Sequence, residues 1–264
     1  PNVAVFDTAF HQSMPRHAYM YAIPQKFYDE YRIRKYGFHG TSHKFVMLAA
    51  AEFLKKPVEE LKLITCHLGN GSSIAAIKGG KVLDTSMGMT PLAGLIMGTR
   101  CGDIDPAIIF FLARKGISVD EIDNALNKRS GLMGINGIES GDMRDTVNAA
   151  TQGKAAAENA LHMFGHRTAF YIGGYYTLLG GADAIIFTGG IGENSAPARQ
   201  MIVSRLEAIG CKLDDAKNKA TAGKTGVITT DASKLPAIVI PTDEELMIAR
   251  ETLRVLSETT KSTK

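Results

Sequence analysis

Residues 61–86, "LKLITCHLGNGSSIAAIKGGKVLDTS", constrain the fold more than any other stretch of this chain. Three short apolar runs are separated by Gly-Asn-Gly and by Gly-Gly. Connections this short join antiparallel neighbours, so the segment predicts a strand, a glycine turn, a second strand, a Gly-Gly turn and a third strand. Elsewhere strand-like and helix-like segments alternate, which argues an α/β chain.

Helix signals surround the meander. Thr41 begins a helical stretch, "TSHKFVMLAAAEFLKK". Asp105-Pro106 reads as a helix start, with Asp as N-cap and Pro in the first turn, running through "AIIFFLARK" to Gly116. Ser118 to Glu121 forms a capping box. A long helix covers roughly 154 to 179, with Leu161, Phe164, Tyr171, Ile172, Tyr175, Leu178 and Leu179 at helical spacing. "ADAIIFTGGIGEN" predicts a buried strand running into a glycine loop, after which Ser195 caps a helix ending near Gly210. "PAIVIP" reads as a late strand, and Thr242 starts a final helix with "TDEE" as its capping box. At the front, Val3, Val5 and Phe6 read as a buried strand with Asp7 at its end.

Composition narrows the class. The 264 residues are 45% hydrophobic and 22% charged with a net charge of +3, values of an ordinary globular chain with room for a large core. No basic arm or aromatic–basic interleaving points to nucleic acid. No apolar run reaches the ~18 residues of a membrane span, and no signal peptide is visible. Cys66, Cys101 and Cys211 match neither a disulfide framework nor a zinc pattern, which points to the cytoplasm. The end, "TTKSTK", reads as frayed and solvated.

Four segments carry candidate chemistry. "HLGNGSS" (67–73) and "TGGIGEN" (188–194) are glycine loops at strand ends. Glycine there lets backbone N–H groups approach phosphate oxygens. Each alone is equally a tight turn, and neither is a Walker or Rossmann loop. "YGFHGTSH" places His39 and His43 four apart. Either His43 faces the core while His39 caps the helix, or the pair ligates a metal for which no third ligand is near. Arg100 stands in the apolar, glycine-flanked "MGMTPLAGLIMGTRCGDIDP" and needs an anion to offset desolvation, either Asp103 or Asp105 or a substrate phosphoryl group.

Together "VFDTAFHQSMP", "YGFHGTSHKFV", "HLGNGSSIAAIKGGKVLDTSMGMTPL", "GLIMGTRCGDIDPAIIFFL", "FTGGIGENSAPAR" and "TDEELMIAR" closely resemble the acetate kinase family, a branch of the acetate and sugar kinase/Hsp70/actin superfamily. The resemblance implies an actin-like, ribonuclease H-like ATPase lobe with a mixed sheet flanked by helices and remnants of a second lobe. It implies magnesium-dependent phosphoryl transfer between ATP and acetate, giving acetyl phosphate and ADP, and a homodimer formed through the carboxy-terminal lobe. Propionate as acceptor, and a non-catalytic nucleotide-binding or dimerisation module, are the alternatives.

By resemblance, Asp7, His39 and Arg100 are the catalytic residues. His67, Leu68, Gly69, Asn70 and Gly71 form one phosphate loop, and Gly189, Gly190, Ile191, Gly192, Glu193 and Asn194 form the second nucleotide loop. Asp142, Met143 and Arg144 lie beside the adenosine, Phe38 and Pro91 contribute to the apolar pocket for the acetate methyl, and Glu244 is associated with magnesium. Glu244 in a first helical turn is also explained by the helix dipole alone. A carboxylate acceptor is already ionised at neutral pH, so Asp7 is expected to orient magnesium, its waters or Arg100 rather than abstract a proton.

Family members carry roughly a further third of chain before "VFDTAFH". The expected division is therefore 1–10 as a hinge remnant of an amino-terminal lobe, 11–242 as the nucleotide-binding and dimerising lobe, and 243–264 as a helix returning toward the first lobe. On that division these residues alone would bind ADP or ATP without forming acetyl phosphate.

Overall fold

The computed structural model describes residues 2–262, with side chains up to 258. In chain order the elements are α1 (Arg16–Tyr19), α2 (Gln25–Tyr31), α3 (Gly40–Leu54), β1 (Lys62–Leu68), β2 (Ser72–Lys78), β3 (Lys81–Thr85), α4 (Ala107–Arg114), α5 (Val119–Lys128), α6 (Gly131–Ile135), α7 (Met143–Thr151) and α8 (Ala155–Leu179). Then follow β4 (Ala184–Thr188), α9 (Gly189–Asn194), α10 (Ala196–Val203), α11 (Asp215–Ala220), β5 (Gly226–Val227), β6 (Ala237–Val239) and α12 (Glu244–Ser262). The strands form one mixed sheet in the order β3-β2-β1-β4-β6-β5. The meander pairs antiparallel as its turns require, whereas β1, β4 and β6 run parallel.

Both faces of the sheet are covered, so its central strands are apolar on both sides. Ile64, Cys66 and Leu68 of β1 and Ile185 and Phe187 of β4 face a core shared with Phe164 and Ile172 of α8 and Ile202 of α10. Leu63, Ala184, Ile186 and Ile238 face the other core with Val46, Met47 and Ala50 of α3. Thr65 and His67 interrupt the apolar run of β1 on the α3 side, and their partners are polar side chains of α3.

The capping box at Ser118 is present, with Ser118 Oγ accepting the Glu121 amide and Glu121 Oε2 accepting the Ser118 amide. Ser195 Oγ accepts the Ala198 amide, and α10 ends at Val203, ahead of a 3-10 turn that stops at Gly210. The long helix falls where its periodicity places it, although Leu178 is 59% exposed.

Four local expectations are corrected. Residues 3–6 form no strand: Val3 and Val5 are half-buried and residues 2, 4 and 6 exposed, so the period-2 pattern is real, but no described strand takes their backbone groups. "GGIGEN" is not a loop but the body of α9. Its glycines argue against a helix, but Glu193 Oε1 reaches back to accept the Gly189 amide at 2.9 Å and closes the first turn. At the last helix Asp243, not Thr242, is the cap, because Asp243 Oδ1 accepts the Leu246 amide at 2.8 Å. The Thr242 hydroxyl instead accepts from Ser42. Helix α4 begins at Ala107, with Pro106 in the cap position and Asp105 Oδ1 accepting the Ala107 amide at 2.9 Å. The side chains of "TTKSTK" lie outside the described residues.

Candidate active site

The site is built at the ends of two neighbouring parallel strands. His67 of β1 lies beside Thr188 of β4, so both chains leave the sheet at the same edge. After β1 the chain turns through Gly69-Asn70-Gly71, closed by the Gly69 amide donating to Gly71 O at 3.0 Å and by Ser72 Oγ donating to Gly69 O at 2.9 Å. After β4 it enters α9 through Gly189, whose φ is +74° and whose missing Cβ would lie 2.8 Å from Leu68 O. Only glycine meets both demands. The two glycine segments are thus in backbone contact.

Two further segments pack on this turn. The Gly98 amide donates to Asn70 O at 3.0 Å, and a Cβ at Gly98 would sit 2.9 Å from Gly141 O. "GTR" and "SGDMR" are therefore brought to the same edge. Between the turn, the start of α7 and α9 lies a cleft of about 540 Å³. Gly69, Asn70, Asp142, Met143, Arg144, Gly190, Ile191 and Asn194 line it. Asp142 Oδ1 caps α7 by accepting the Arg144 amide at 2.7 Å, and the Arg144 guanidinium folds back onto the same carboxylate. Gly190 is open, with nothing within 4 Å of a notional Cβ.

Of the remaining loop residues, Leu68 is buried in the core, and His67, Gly71, Gly189, Gly192 and Glu193 are not among the lining residues. Glu193 Oε1 also accepts the Thr242 amide at 3.2 Å, so this side chain ties α9 to the start of α12. Sequence reasoning missed Val147, Asn148, Ser195 and Pro197, which also line the cleft. Val147 lies one turn after Met143 on α7, a spacing that pointed to the same face.

Next to the cleft stands a second group of side chains. His39 has φ +56° at the N-cap of α3. Its backbone is held by Asp7, whose Oδ2 accepts the His39 amide at 2.6 Å while Oδ1 accepts the Thr41 amide at 3.3 Å. The His39 ring stacks on His67 with centroids 4.2 Å apart. Gly71 is the meeting point: a Cβ there would lie 2.6 Å from Arg100 Nη2 and 3.2 Å from His39 Nε2. Any side chain at 71 would displace one of them.

Arg100 forms no salt bridge with Asp103 or Asp105 among the described residues. Its Nη1 donates to Pro91 O at 2.7 Å, while Asp103 is taken by Tyr171 and Arg167. Burial without a carboxylate partner pulls the guanidinium below its ordinary pKa. His39 falls to about 4, chiefly through burial and then through the nearby Arg100 charge. His67 falls to about 3, mainly by burial. His43 is fully buried between Thr65 and Ser73 and is held well below the usual range by desolvation, so it faces the core as one of the two sequence alternatives had it.

Glu244, at the first position of α12, has its pKa raised by burial and then by the negative charge of Asp7. Phe38 is half-buried, and its carbonyl accepts from His11 Nε2 at 2.8 Å. Neither Phe38 nor Pro91 lines the 540 Å³ cleft or the 270 Å³ hollow beside Leu92 and Ala93. The described residues contain no cluster of three or more His, Cys, Asp or Glu able to hold a metal ion.

The arrangement offers an open glycine-lined cleft of nucleotide size and, at one end of it, a cation and a neutral imidazole over a glycine. The chain as a whole is similar to known proteins. The chain is 58% identical to an acetate kinase of Clostridium novyi over 98% of its own length and 64% of that protein's. A crystal structure of the Porphyromonas gingivalis acetate kinase superposes with a TM-score of 0.92 at 45% identity, covering 96% of this chain and 63% of that one. A propionate kinase from Francisella tularensis superposes with a TM-score of 0.88 at 47% identity, covering 94% and 62%. The chain thus spans 64% of the length of the curated relative it matches. The actin-like α/β fold is the one expected from the sequence. The model of the acetokinase family matches residues 1–250, and this chain belongs to that family.

Proposed function

We propose that the whole protein transfers a phosphoryl group between ATP and acetate, giving acetyl phosphate and ADP. The carrying observation is the meeting of Arg100 Nη2 and His39 Nε2 over Gly71, one residue from the cleft-lining Asn70. A nucleotide in the cleft with its phosphates toward that end presents its terminal phosphoryl group to a guanidinium and an imidazole. The acetate kinases among the relatives support this acceptor.

The acceptor carboxylate is ionised at neutral pH and needs no general base. Catalysis then reduces to alignment and to neutralising charge on the transferring group. Arg100 supplies a fixed positive charge held in place by Pro91 O. His39, neutral at pH 7, supplies a hydrogen bond rather than a charge. Asp7 fixes the backbone that carries His39. Gly69, Asn70 and Gly190 bring main chain against the phosphates, and Asp142, Met143 and Arg144 flank the nucleoside.

We assign a magnesium ion to Asp7 and Glu244. Burial, and after it the negative charge of Asp7, raise Glu244, and a cation beside the two carboxylates would relieve the second of these. Two carboxylates without a third ligand suit an ion that keeps several waters and is held mainly by substrate phosphates. When bound, magnesium offsets charge on the phosphate oxygens. We further propose a homodimer and a cytoplasmic location. Ile108, Phe110 and Phe111 of α4 and Phe170 and Leu178 of α8 are exposed and suit burial by a second copy. The described residues contain no helix long and apolar enough to cross a membrane.

A hydroxamate assay on the whole protein tests the reading. Acetate, ATP and magnesium should give acyl hydroxamate, with kcat/KM for acetate above that for propionate. Nucleotide binding without transfer to either acid would overturn it in favour of a binding module, and a reversed ratio would assign propionate.

A further inference from the structure

Behind His39 runs a closed line of hydrogen bonds. Thr65 Oγ1 lies 2.7 Å from His43 Nδ1, His43 Nε2 lies 2.8 Å from Ser73 Oγ, and Ser73 Oγ lies 2.9 Å from His39 Nδ1. Thr65, His43 and Ser73 are all fully buried. The other nitrogen, His39 Nε2, points at the Gly71–Arg100 end of the cleft.

Counting protons gives this line a direction. The partners of His43 Nδ1, His43 Nε2 and His39 Nδ1 are all uncharged hydroxyls with no carboxylate among them, so each ring is counted as neutral, with one N–H and one lone pair. The Thr65 hydroxyl has one described partner, His43 Nδ1. A buried O–H left without an acceptor costs about 1–3 kcal/mol, so Thr65 donates to His43 Nδ1. The proton of His43 is then on Nε2 and donates to Ser73 Oγ. The Ser73 hydroxyl donates onward to His39 Nδ1, which leaves the His39 proton on Nε2. The reverse order strands the Thr65 proton in the core and turns a lone pair toward the cleft.

We propose that Thr65, His43 and Ser73 are positioning residues that fix His39 as its Nε2–H tautomer, so that a donor rather than an acceptor faces the transferring phosphoryl group. A neutral histidine in the other tautomer would present its lone pair to phosphate oxygens and repel them. The kinetic consequence rests on the phosphoryl-transfer reading above; the tautomer does not.

Long-range 15N–1H correlation spectra of the 15N-histidine-labelled chain at pH 7 test the tautomer directly, without substrate. The expected result is His39 with a bare Nδ1 and a protonated Nε2, and Ser73→Ala should shift it toward a mixture. An Nδ1–H form in the unmodified chain, or a spectrum unmoved by Ser73→Ala, overturns the proposal whatever the protein catalyses. In the whole protein, Ser73→Ala should lower kcat on the order of ten- to a hundredfold, as loss of a group orienting a functional histidine does, with KM for ATP nearly unchanged. Ser73→Thr, which keeps the hydroxyl, should restore most of it. Thr65→Val, isosteric and one step further back, should give the same change in the His39 spectrum if it folds.

Discussion

The carboxylate of Asp7 accepts the backbone amide of His39 at 2.6 Å, so the residue nearest the front of the site holds the backbone of the imidazole that faces it. A second bond, from the Thr41 amide at 3.3 Å, makes Asp7 an anion at the start of α3, supplied by a distant segment instead of a local cap. Asp7→Ala should therefore cost about 1–2 kcal/mol of stability, the loss of an N-cap. Asp7→Asn keeps one acceptor oxygen, enough for the shorter bond from the His39 amide but not for that from Thr41, and should keep part of that stability, yet lose activity because it removes the charge that Glu244 feels. Thermal melts alongside kcat for both variants check this. Full activity in Asp7→Asn would reduce Asp7 to a cap.

Arg100→Ala in the whole protein should lower kcat by roughly 10³, in the range of an arginine that stabilises a transferring phosphoryl group. The affinity for ATP should change only a few-fold, because Arg100 lies outside the ring of cleft-lining residues. Steady-state kinetics with a separate binding titration distinguishes the two. Collapse of ATP affinity with kcat preserved would make Arg100 a ground-state nucleotide ligand.

Gly190→Val should act in the opposite sense. Nothing lies within 4 Å of a Cβ at 190 and the φ is not in the left-handed region, so the fold should be disturbed by no more than about 1 kcal/mol. The new side chain projects into the cleft and should weaken ADP binding at least tenfold, about 1.4 kcal/mol. Calorimetric titration of the folded variant with ADP is the measurement, and unchanged affinity would remove α9 from the nucleotide site.

The meander, the long helix and the paired glycine segments were legible because each is written in local chemistry: turn residues, spacing and caps. What was not legible depends on partners distant in sequence. The extended pattern of Val3 and Val5 is present, but pairing is a property of a neighbour. "GGIGEN" reads as a loop until Glu193 is seen to reach back to the amide of Gly189. In the site, the glycines and Arg100 were marked by composition, whereas Ser73 and Thr65 looked like ordinary strand residues. Their role appears only when β1, β2 and α3 are packed together.

Nothing in "SAPARQ" singles out Arg199 from an ordinary arginine of a helix. It is fully buried, with Nε donating to Asn218 Oδ1 at 2.7 Å, Nη1 to the carbonyls of Gly192 and Glu193, and Nη2 to Asn218 O. Desolvation lowers its pKa to about 10, so it stays charged at pH 7 and clamps the end of α9 to α11. Arg199→Met should destabilise by about 3 kcal/mol by leaving these acceptors unpaired. Nucleotide affinity should fall with it, since α9 forms a cleft wall. Urea unfolding and ADP titration check the two effects, and a variant as stable as the parent would refute the clamp.

The buried histidines also set a pH dependence. His39 and His67 have folded pKa values of about 4 and about 3, against 6.5 in the unfolded chain, and His43 is depressed in the same direction. Between those values and 6.5 the unfolded state binds more protons than the native state, so stability rises with pH across that window. The contribution is complete above about pH 6.5 and is lost progressively as pH falls toward 4, by a few kcal/mol in total. Denaturant midpoints measured from pH 7.5 to 4.5 should fall steadily. His67→Asn removes one of these groups and should flatten the slope. A midpoint independent of pH in the parent chain would mean that these imidazoles protonate freely in the native state, and that His39 carries a charge at mildly acidic pH instead of the single oriented proton argued above.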